Sequence, residues 1–233
     1  MSWIEAAKRR AAQKAVEHVE DGSVVGLGSG STAAHAIRFL GVRLKNGELK
    51  EVIGVPTSLQ AAGEAISAGV PLTTLDEHPD LDLAIDGADQ IDETLNAIKG
   101  GGGALLREKI VASASKLYIV VADEKKLTKR LGVGCRLPIE VLPFALGPVM
   151  RRIGELGADV AVRSGGGKLG PVVTDNGNLI VDADFGAIHE PRKLNAELKT
   201  IPGVIETGLF LGCVDVAYIG NEEGVKRLEE KRF

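Results

Sequence analysis

Short apolar segments alternate with helical segments over the first half of the chain, and this alternation limits the fold more than any other feature. Four apolar runs are predicted to be strands, at residues 23–27, 52–55, 81–85 and 118–122. Segments with helical spacing occur at residues 4–20, 31–45, 58–68 and 104–115. Strands separated by helices pair in parallel through right-handed crossovers, with helices on both faces of the sheet. The alternation therefore predicts a doubly wound, Rossmann-like α/β domain.

The pattern changes after Lys129. Two further helices are expected here, together with strands and a hairpin whose turn is Asn176-Gly177, a pair that readily supplies positive φ. This order predicts a smaller α+β module of the ferredoxin-like, split βαβ type with an antiparallel sheet. Its predicted elements are strands at 137–141, 158–163 and 204–210, helices at 144–156 and 191–199, and the hairpin within 172–181.

The last part of the chain resembles the first half again. Residues 214–219 are predicted to form a strand with a short helix behind it. We therefore predict that a smaller domain interrupts a larger one. The Rossmann-like domain comprises residues 1–131 and 211–233, and the inserted α+β domain comprises residues 132–210.

Composition excludes several classes of partner. The 233 residues include only 3% aromatics, too few for base-stacking platforms, and the net charge of −4 gives no attraction to nucleic acid or an acidic membrane. No uncharged apolar run reaches the roughly 18 residues of a membrane span. Cys135 and Cys213 lack metal-ligand spacing and are expected to be reduced thiols. These features predict a cytoplasmic protein.

The first glycine cluster, Gly26-Leu-Gly-Ser-Gly-Ser-Thr32, lies between a strand and a helix that Ser31 or Thr32 could cap. Glycine lets backbone N–H groups approach an anion, and a helix N-terminus adds partial positive charge. The hydroxyls of Ser29, Ser31 and Thr32 favour phosphate binding over a plain tight turn. A dinucleotide fingerprint would need glycine at position 31. In a dinucleotide site an acidic residue that binds the ribose hydroxyls is expected after the second strand, where this chain has Thr57 and Ser58. Ser58 is equally explained as a helix N-cap.

A second cluster combines Asp86-Gly-Ala-Asp89 with Lys99 and the glycine run Gly100–Gly103. Ligands of parallel sheets bind beyond the carboxyl ends of strands, so both aspartates are expected in the crevice. Taken singly, each aspartate could instead be a helix cap or a solvated turn residue. Four consecutive glycines lose much conformational entropy on folding, which suggests that a ligand comes close to their backbone.

Glu108 follows about one turn into the next helix. Lys99 and the helix dipole would favour its ionised form, whereas Asp86 and Asp89 would disfavour it. That balance suits a general base. The alternative is a solvated glutamate paired with Lys109 or Arg107.

The remaining patterns are weaker. Lys126, in Asp123-Glu-Lys-Lys126, could hold a phosphate or belong to a solvated charge cluster. Gly165-Gly-Gly-Lys168 is predicted to be a loose hairpin loop. The four histidines have no metal-ligand spacing, and no metal site is predicted.

Taken together, these clusters resemble ribose-5-phosphate isomerase of the A type. The resemblance covers nearly the whole chain, with the motifs in family order. It departs from the family at Ser29, where threonine is usual, and the retained hydroxyl limits the expected effect to packing. The motifs are Gly28-Ser-Gly-Ser-Thr32, Val55-Pro-Thr-Ser58, Asp86-Gly-Ala-Asp89, Lys99-Gly-Gly-Gly-Gly103, Arg107-Glu-Lys109, Ala122-Asp-Glu-Lys-Lys126, Leu137-Pro-Ile-Glu-Val141, Thr174-Asp-Asn-Gly-Asn178 and Ile201-Pro-Gly-Val204.

The resemblance implies reversible conversion of D-ribose 5-phosphate to D-ribulose 5-phosphate in the non-oxidative pentose phosphate pathway, without metal or organic cofactor. It implies that Asp86 helps to open the furanose ring and that Glu108 moves a proton between C2 and C1 through an enediolate. Lys99 and the glycine-loop N–H groups would stabilise the oxyanion. Asp89 would hold sugar hydroxyls.

The resemblance also implies the substrate contacts and the assembly. Lys126 would hold the phosphate, and the chain would form a homodimer or a homotetramer. The implied substrate-binding residues are Ser29, Gly30, Ser31, Thr32, Asp86, Gly87, Ala88, Asp89, Lys99, Gly100, Gly101, Gly102 and Lys126.

Two other functions are compatible with parts of the pattern. A sugar-phosphate sensor could use the same scaffold without catalysis, and an assay with ribose 5-phosphate separates it from an enzyme. A methyltransferase could use the G-x-G-x-G run at Gly26, Gly28 and Gly30, but the acids expected before that loop and after the second strand are missing.

Overall fold

The computed structural model describes residues 2–167 and 169–229, which form six α-helices, fourteen strands and two short 3₁₀ turns. In chain order the helices and strands are α1 (Trp3–Val16), β1 (Val24–Leu27), α2 (Ser31–Lys45), β2 (Ile53–Pro56), α3 (Leu59–Ala68), β3 (Leu83–Asp86), β4 (Gln90–Asp92), β5 (Ala97–Ile98), α4 (Leu105–Ala114), β6 (Tyr118–Asp123), β7 (Leu127–Thr128), β8 (Leu137–Val141), α5 (Leu146–Glu155), β9 (Asp159–Val162), β10 (Leu179–Asp184), α6 (Pro191–Lys199), β11 (Val204–Thr207), β12 (Leu209–Phe210), β13 (Val216–Gly220) and β14 (Val225–Glu229).

The largest sheet has six strands in the order β14-β13-β6-β3-β1-β2. All neighbours pair in parallel except β13 and β14. Apolar side chains pack on both faces: one cluster lies under α1, α2 and α3, and a second includes Val111 and Ala112 of α4. The predicted doubly wound parallel sheet is confirmed.

The sequence is misleading at the C-terminal edge of this sheet. A short helix was expected after the strand at 214–219, but the chain forms β14, which pairs antiparallel with β13. The Asn221 side chain accepts hydrogen bonds from the N–H groups of Glu223 and Gly224, at 3.0 and 2.7 Å. This tight turn reverses the chain within four residues, so the next segment adds a strand to the sheet edge.

The second sheet has four strands in the order β11-β8-β10-β9, all antiparallel. Because β10 lies between β8 and β9, the unit β8-α5-β9 is a split βαβ, as the sequence predicts. Its core contains Ile139, Ile153, Val181 and Leu198, each fully buried. The α+β character is confirmed, while the limits 132–210 stay a prediction.

A third sheet, in the order β12-β5-β4-β7, was not foreseen. The single strand expected at 204–210 is in fact two strands, β11 and β12, in two different sheets. The change of sheet occurs at Gly208, whose N–H donates to the Pro138 carbonyl and whose carbonyl accepts from the Lys99 N–H. A Cβ at position 208 would lie 2.3 Å from the Lys99 carbonyl oxygen, so only glycine fits this crossing.

Two further features of the chain bear on the predictions. No helix in the described ranges 2–167 and 169–229 is both long and apolar enough to cross a lipid bilayer. The predicted loop at 165–168 contains a turn at Gly166 and Gly167, and Lys168 lies outside the described residues.

Replacement of Gly26 by alanine is expected to destabilise the sheet. A Cβ at Gly26 would lie 2.5 Å from both the Ala84 Cβ and the Val111 Cγ1, so β3 or α4 would have to move. We expect Gly26→Ala to lower the free energy of unfolding by about 1–3 kcal/mol, measured by urea unfolding.

Gly63→Ala is the matched control. Gly63 lies in α3, where a Cβ would meet no atom within 4 Å, and alanine is expected to stabilise that helix by about 0.5–1 kcal/mol. Equal stability of Gly26→Ala and the wild type would show that β1 does not lie this close to β3 and α4.

Candidate active site

The site lies at the carboxyl edge of the parallel sheet, where β1, β3 and β6 each end. A cavity of about 820 Å³ opens there. It is lined by all but one of the predicted catalytic and substrate-binding residues: Ser29, Gly30, Ser31, Thr32, Gly87, Ala88, Asp89, Lys99, Gly100, Gly101, Gly102, Glu108 and Lys126. Asp86 is the exception. It is 1% exposed and lies behind the cavity wall.

Four donors fix the Asp86 carboxylate at the end of β3. Its Oδ1 accepts from the backbone N–H groups of Ser29 and Gly87, at 3.2 and 2.7 Å. Its Oδ2 accepts from the Tyr118 hydroxyl at 3.1 Å and lies 3.1 Å from the Lys99 Nζ. A Cβ at Gly28 would lie 2.3 Å from Oδ1, so the glycine after β1 makes room for this carboxylate.

Lys99 follows β5 and places a buried ammonium between two carboxylates. Its Nζ lies 3.1 Å from Asp86 Oδ2 and 3.3 Å from Glu108 Oε2, and it donates to the Gly87 carbonyl. It also lies 5.3 Å from the centre of the Phe210 ring. Burial alone would lower the pKa of Lys99, but the Asp86 and Glu108 carboxylates outweigh it and hold that pKa above its ordinary value.

Glu108 lies in the first turn of α4 and is only 5% exposed. Its Oε2 is in ion-pair contact with Lys99 but is not aligned for a hydrogen bond with any described residue. Burial and the Asp86 carboxylate raise the pKa of Glu108 to about 8, and Lys99 only partly offsets them. Glu108 is therefore not the solvated surface residue that was the alternative.

The neighbours of Glu108 have other partners. Lys109 pairs with Glu206 at 2.9 Å, so it does not neutralise Glu108. Arg107 donates to the Asn176 side chain and to the Asp175 carbonyl, at 2.7 and 2.9 Å. Both of these acceptors lie in the Asn-Gly hairpin turn that the sequence predicts.

This hairpin connects the second sheet to the helices α3 and α4. The buried Glu140 of β8 accepts hydrogen bonds on Oε1 from Thr174, Asn176 and Asn178. Asp175 Oδ2 accepts from the Leu59 N–H, 2.8 Å away, at the start of α3. Together with Arg107, these contacts fix the hairpin against α3 and α4.

Asp89 is half-buried beside the glycine loop. Its Oδ2 accepts from the Gly101 N–H at 2.6 Å. A Cβ at Gly101 would lie 2.5 Å from Asp89 Oδ1, so the close approach requires glycine. The second cluster of the sequence is thus one continuous site. Asp86 and Glu108 contact Lys99, and Asp89 contacts the adjoining glycine loop.

The first cluster lies at the N-terminus of α2. The helix N-cap is Gly30, with φ of 95°, and not Ser31 or Thr32 as expected. Glycine takes this position because its positive φ is strained for other residues. No side chain caps α2, so N–H groups of its first turn keep their capacity to bind an anion in the cavity.

The hydroxyls of this region differ in availability. Ser31 and Thr32 begin α2 and line the cavity. The Ser29 Oγ lies 2.8 Å from Thr57 Oγ1 and donates to Ser58 Oγ at 2.6 Å, so its hydroxyl is already engaged. Ser58 itself caps α3 by accepting from the Ala61 N–H, which confirms the capping prediction.

Three functional candidates were not recognised from the sequence. Lys8 of α1 lines the cavity, with its Nζ 3.1 Å from Ser31 Oγ and 2.9 Å from Glu5 Oε1. Tyr118 holds Asp86, and Arg163, the residue after β9, reaches the glycine loop. Lys8 lies on an ordinary helix and Arg163 directly follows an ordinary strand, with no local motif, and only the fold brings them to the site.

The parallel sheet and the buried acid–lysine cluster define an α/β protein whose cavity carries groups suited to proton transfer and anion binding. The family model described as Ribose 5-phosphate isomerase A (phosphoriboisomerase A) matches residues 53–224. The chain therefore belongs to the ribose 5-phosphate isomerase A family.

Individual proteins agree with this assignment. Ribose-5-phosphate isomerase A of Trichodesmium erythraeum is 49% identical over 219 residues, covering 94% of this chain and 92% of that protein. The ribose 5-phosphate isomerase A structure from Methanocaldococcus jannaschii has a TM-score of 0.93 at 46% identity, covering 97% of this chain and 99% of that one. A D-ribose-5-phosphate isomerase in complex with phospho-erythronic acid has a TM-score of 0.96 at 45% identity, covering 99% and 100%.

The stability of Glu108→Gln is expected to fall less with rising pH than that of the wild type. The pKa of Glu108 is raised from 4.5 to about 8 in the folded chain, so the folded state holds this proton more tightly than the unfolded state. The free energy of unfolding therefore loses a contribution as the pH rises between these values, and the neutral amide avoids that loss.

Urea unfolding over a series of pH values measures this effect. The stability difference between Glu108→Gln and the wild type should grow from about pH 4.5 to about pH 8 and then stay constant. Glu197→Gln, an exposed change on α6, is the control and should show no such trend. A pH-independent difference for Glu108→Gln would contradict the raised pKa.

Proposed function

We propose that this chain interconverts D-ribose 5-phosphate and D-ribulose 5-phosphate through an enediolate. The observation that carries the proposal is the buried Asp86–Lys99–Glu108 cluster, which contacts a polar cavity large enough for a pentose phosphate. A general base with a raised pKa beside a fixed cation is the arrangement that proton abstraction next to a carbonyl needs.

Glu108 is the proposed base. It takes the proton from C2 of the open-chain aldose and returns it to C1, while the hydroxyl proton moves from O2 to O1. A carboxylate with a pKa of about 8 is more basic than an ordinary glutamate and therefore better suited to remove a proton from carbon. A positioned base of this kind contributes roughly 10²–10⁴-fold in rate.

Lys99 and the glycine loop are the proposed oxyanion stabilisers. The Lys99 ammonium is already desolvated and fixed between two carboxylates, so little reorganisation is needed as charge develops on the sugar oxygen. Gly100, Gly101 and Gly102 line the same cavity, and the Gly101 N–H already donates to Asp89. Asp89 holds sugar hydroxyls in this scheme.

Asp86 is proposed to promote opening of the furanose ring by proton transfer. Asp86 is enclosed behind the cavity wall. We therefore assign the passage of the proton between Asp86 and the sugar to the Lys99 ammonium, which contacts both Asp86 and the cavity. Tyr118 keeps the Asp86 carboxylate in the orientation that this transfer requires.

The phosphate is proposed to bind at the N-terminus of α2, with Ser31 and Thr32. Lys126 lines the same cavity and supplies positive charge, and Lys8 adds a second cation beside Ser31. A similar isomerase forms a complex with phospho-erythronic acid, which supports an enediolate intermediate in the proposed reaction. A carboxylate on a phosphorylated four-carbon chain has the planar, two-oxygen shape of an enediolate.

Compartment and assembly complete the proposal. Cys135 and Cys213 are free thiols, as is typical of a reducing compartment, and we propose that the chain acts in the cytoplasm within the pentose phosphate pathway. We further propose a homodimer or homotetramer, as the family resemblance implies.

A coupled aldose-to-ketose assay tests the proposed function. Ribose 5-phosphate is expected to be converted, whereas arabinose 5-phosphate and ribose should react far more slowly because they lack the matching C2 configuration or the phosphate. Glu108→Gln should bind substrate but lose about 10²–10⁴-fold in kcat. A wild-type protein that binds ribose 5-phosphate without turnover would instead be a sensor, and near-normal turnover by Glu108→Gln would rule out Glu108 as the base.

The pH dependence of the reaction is a separate test. The base must be ionised, so kcat/KM for ribose 5-phosphate is expected to rise with pH and to level off above about pH 8, the pKa of Glu108 in the free protein. Steady-state kinetics across this range measure the ascending limb. A kcat/KM that is already constant from about pH 6 upward would contradict this role for the raised pKa.

A further inference from the structure

Arg163 contacts the backbone of the glycine loop that borders the cavity. It follows β9 and donates from Nη1 to the carbonyl oxygens of Gly100 and Gly101, at 2.7 and 2.8 Å. These two peptides belong to the run of four glycines, which has little intrinsic preference for one conformation. Arg163 therefore supplies order that the loop sequence lacks.

A carboxylate holds Arg163 in this position. The Nε of Arg163 donates to Asp182 Oδ2 at 2.8 Å, and its Nη2 pairs with Asp182 Oδ1. Asp182 lies on β10, which pairs with β9, and Arg163 directly follows β9. The two-point pairing uses the planar fork of the guanidinium and leaves Nη1 directed at the glycine carbonyls.

The Gly100–Gly101 peptide is consequently held at both ends. Its carbonyl accepts from Arg163, and its N–H donates to Asp89 at 2.6 Å. A trans peptide is planar, with the C=O and N–H pointing in opposite directions, and the described chain contains no cis peptide bond. By the same geometry, fixing the Gly101 carbonyl directs the Gly102 N–H away from Arg163.

We propose that Arg163 is a positioning residue for catalysis, which with Asp182 orients the glycine-loop peptides and, through the Gly101 N–H, the Asp89 carboxylate. We call the set of Arg163, Asp182 and the Gly100 and Gly101 carbonyls the Arg163 clamp. The inference rests on the proposed isomerase function, in which this loop stabilises the oxyanion and Asp89 holds the sugar. Arg163 itself makes no bond to the reacting carbons.

Arg163→Gln tests the clamp by kinetics. The amide cannot reach Asp182 and both carbonyls together, so kcat should fall about 10- to 100-fold while KM for ribose 5-phosphate changes less than about threefold. Arg163→Lys keeps the charge but loses the fork, and its kcat should lie between those of Arg163→Gln and the wild type. Asp182→Asn should resemble Arg163→Lys, because Arg163 keeps its charge but loses the two-point pairing with a carboxylate.

Arg136→Gln is the matched control. Arg136 also borders the cavity and pairs with one aspartate, Asp159, at 3.0 Å, and within the described chain it donates no hydrogen bond to the glycine loop. Arg136→Gln removes the same charge from the same region as Arg163→Gln, and it should leave kcat within about twofold of the wild type. An equal fall in both variants would mean that charge alone, and not the clamp, lowers kcat.

Hydrogen–deuterium exchange separates failure of the clamp from failure of the proposed function. The peptide spanning residues 99–107 should exchange faster in Arg163→Gln than in the wild type or in Arg136→Gln, without any substrate present. Unchanged exchange, or an Arg163→Gln kcat within twofold of the wild type, would overturn the clamp. A wild-type protein inactive on ribose 5-phosphate would refute the proposed function, and the exchange result alone would then decide the loop-ordering role.

Discussion

The buried ammonium of Lys99 is the interaction on which the site depends. It lies between Asp86 at the end of β3 and Glu108 at the start of α4, so it joins the sheet to the helix that carries the proposed base. Without it, two carboxylates would face each other with little solvent, an arrangement that is strongly unfavourable unless protons are taken up. The same cation sets how basic Glu108 is, because it opposes the effects of burial and of Asp86.

Glycines in the surrounding backbone make room for these closely spaced charged groups. Gly28 leaves space for the Asp86 carboxylate, Gly208 lets another segment cross Lys99, and Gly101 lets Asp89 approach the loop. Each glycine removes a Cβ from a place where a charged group or a carbonyl must stand. The glycine content near the site thus follows from packing around the ionic cluster as well as from access for a ligand.

The sequence predicts the parts of the molecule that depend on local pattern. Apolar periodicity locates the parallel strands, and turn residues locate the hairpin at Asn176-Gly177. Strand ends followed by acids locate Asp86 and Asp89. It fails at two places: the Asn221 side chain closes a local tight turn that leads into an edge strand, and Gly208, through long-range contacts with Lys99 and Pro138, divides one apolar run between two sheets. The sequence does not predict the roles of Tyr118, Lys8 and Arg163, because their contacts are with residues far away in the chain and no local motif marks them.

The hairpin at residues 174–178 has a mechanical consequence. Asp175 is bonded to the start of α3, Arg107 of α4 is bonded to the hairpin, and Glu140 ties the hairpin to the antiparallel sheet. These contacts join the antiparallel sheet to α3 and α4, which pack on the parallel sheet, so a hinge that swung the two sheets apart would have to break all of them together. We expect the substrate to enter and leave through a mouth of constant shape, with selection by fit to a preformed pocket and not by closure around the sugar.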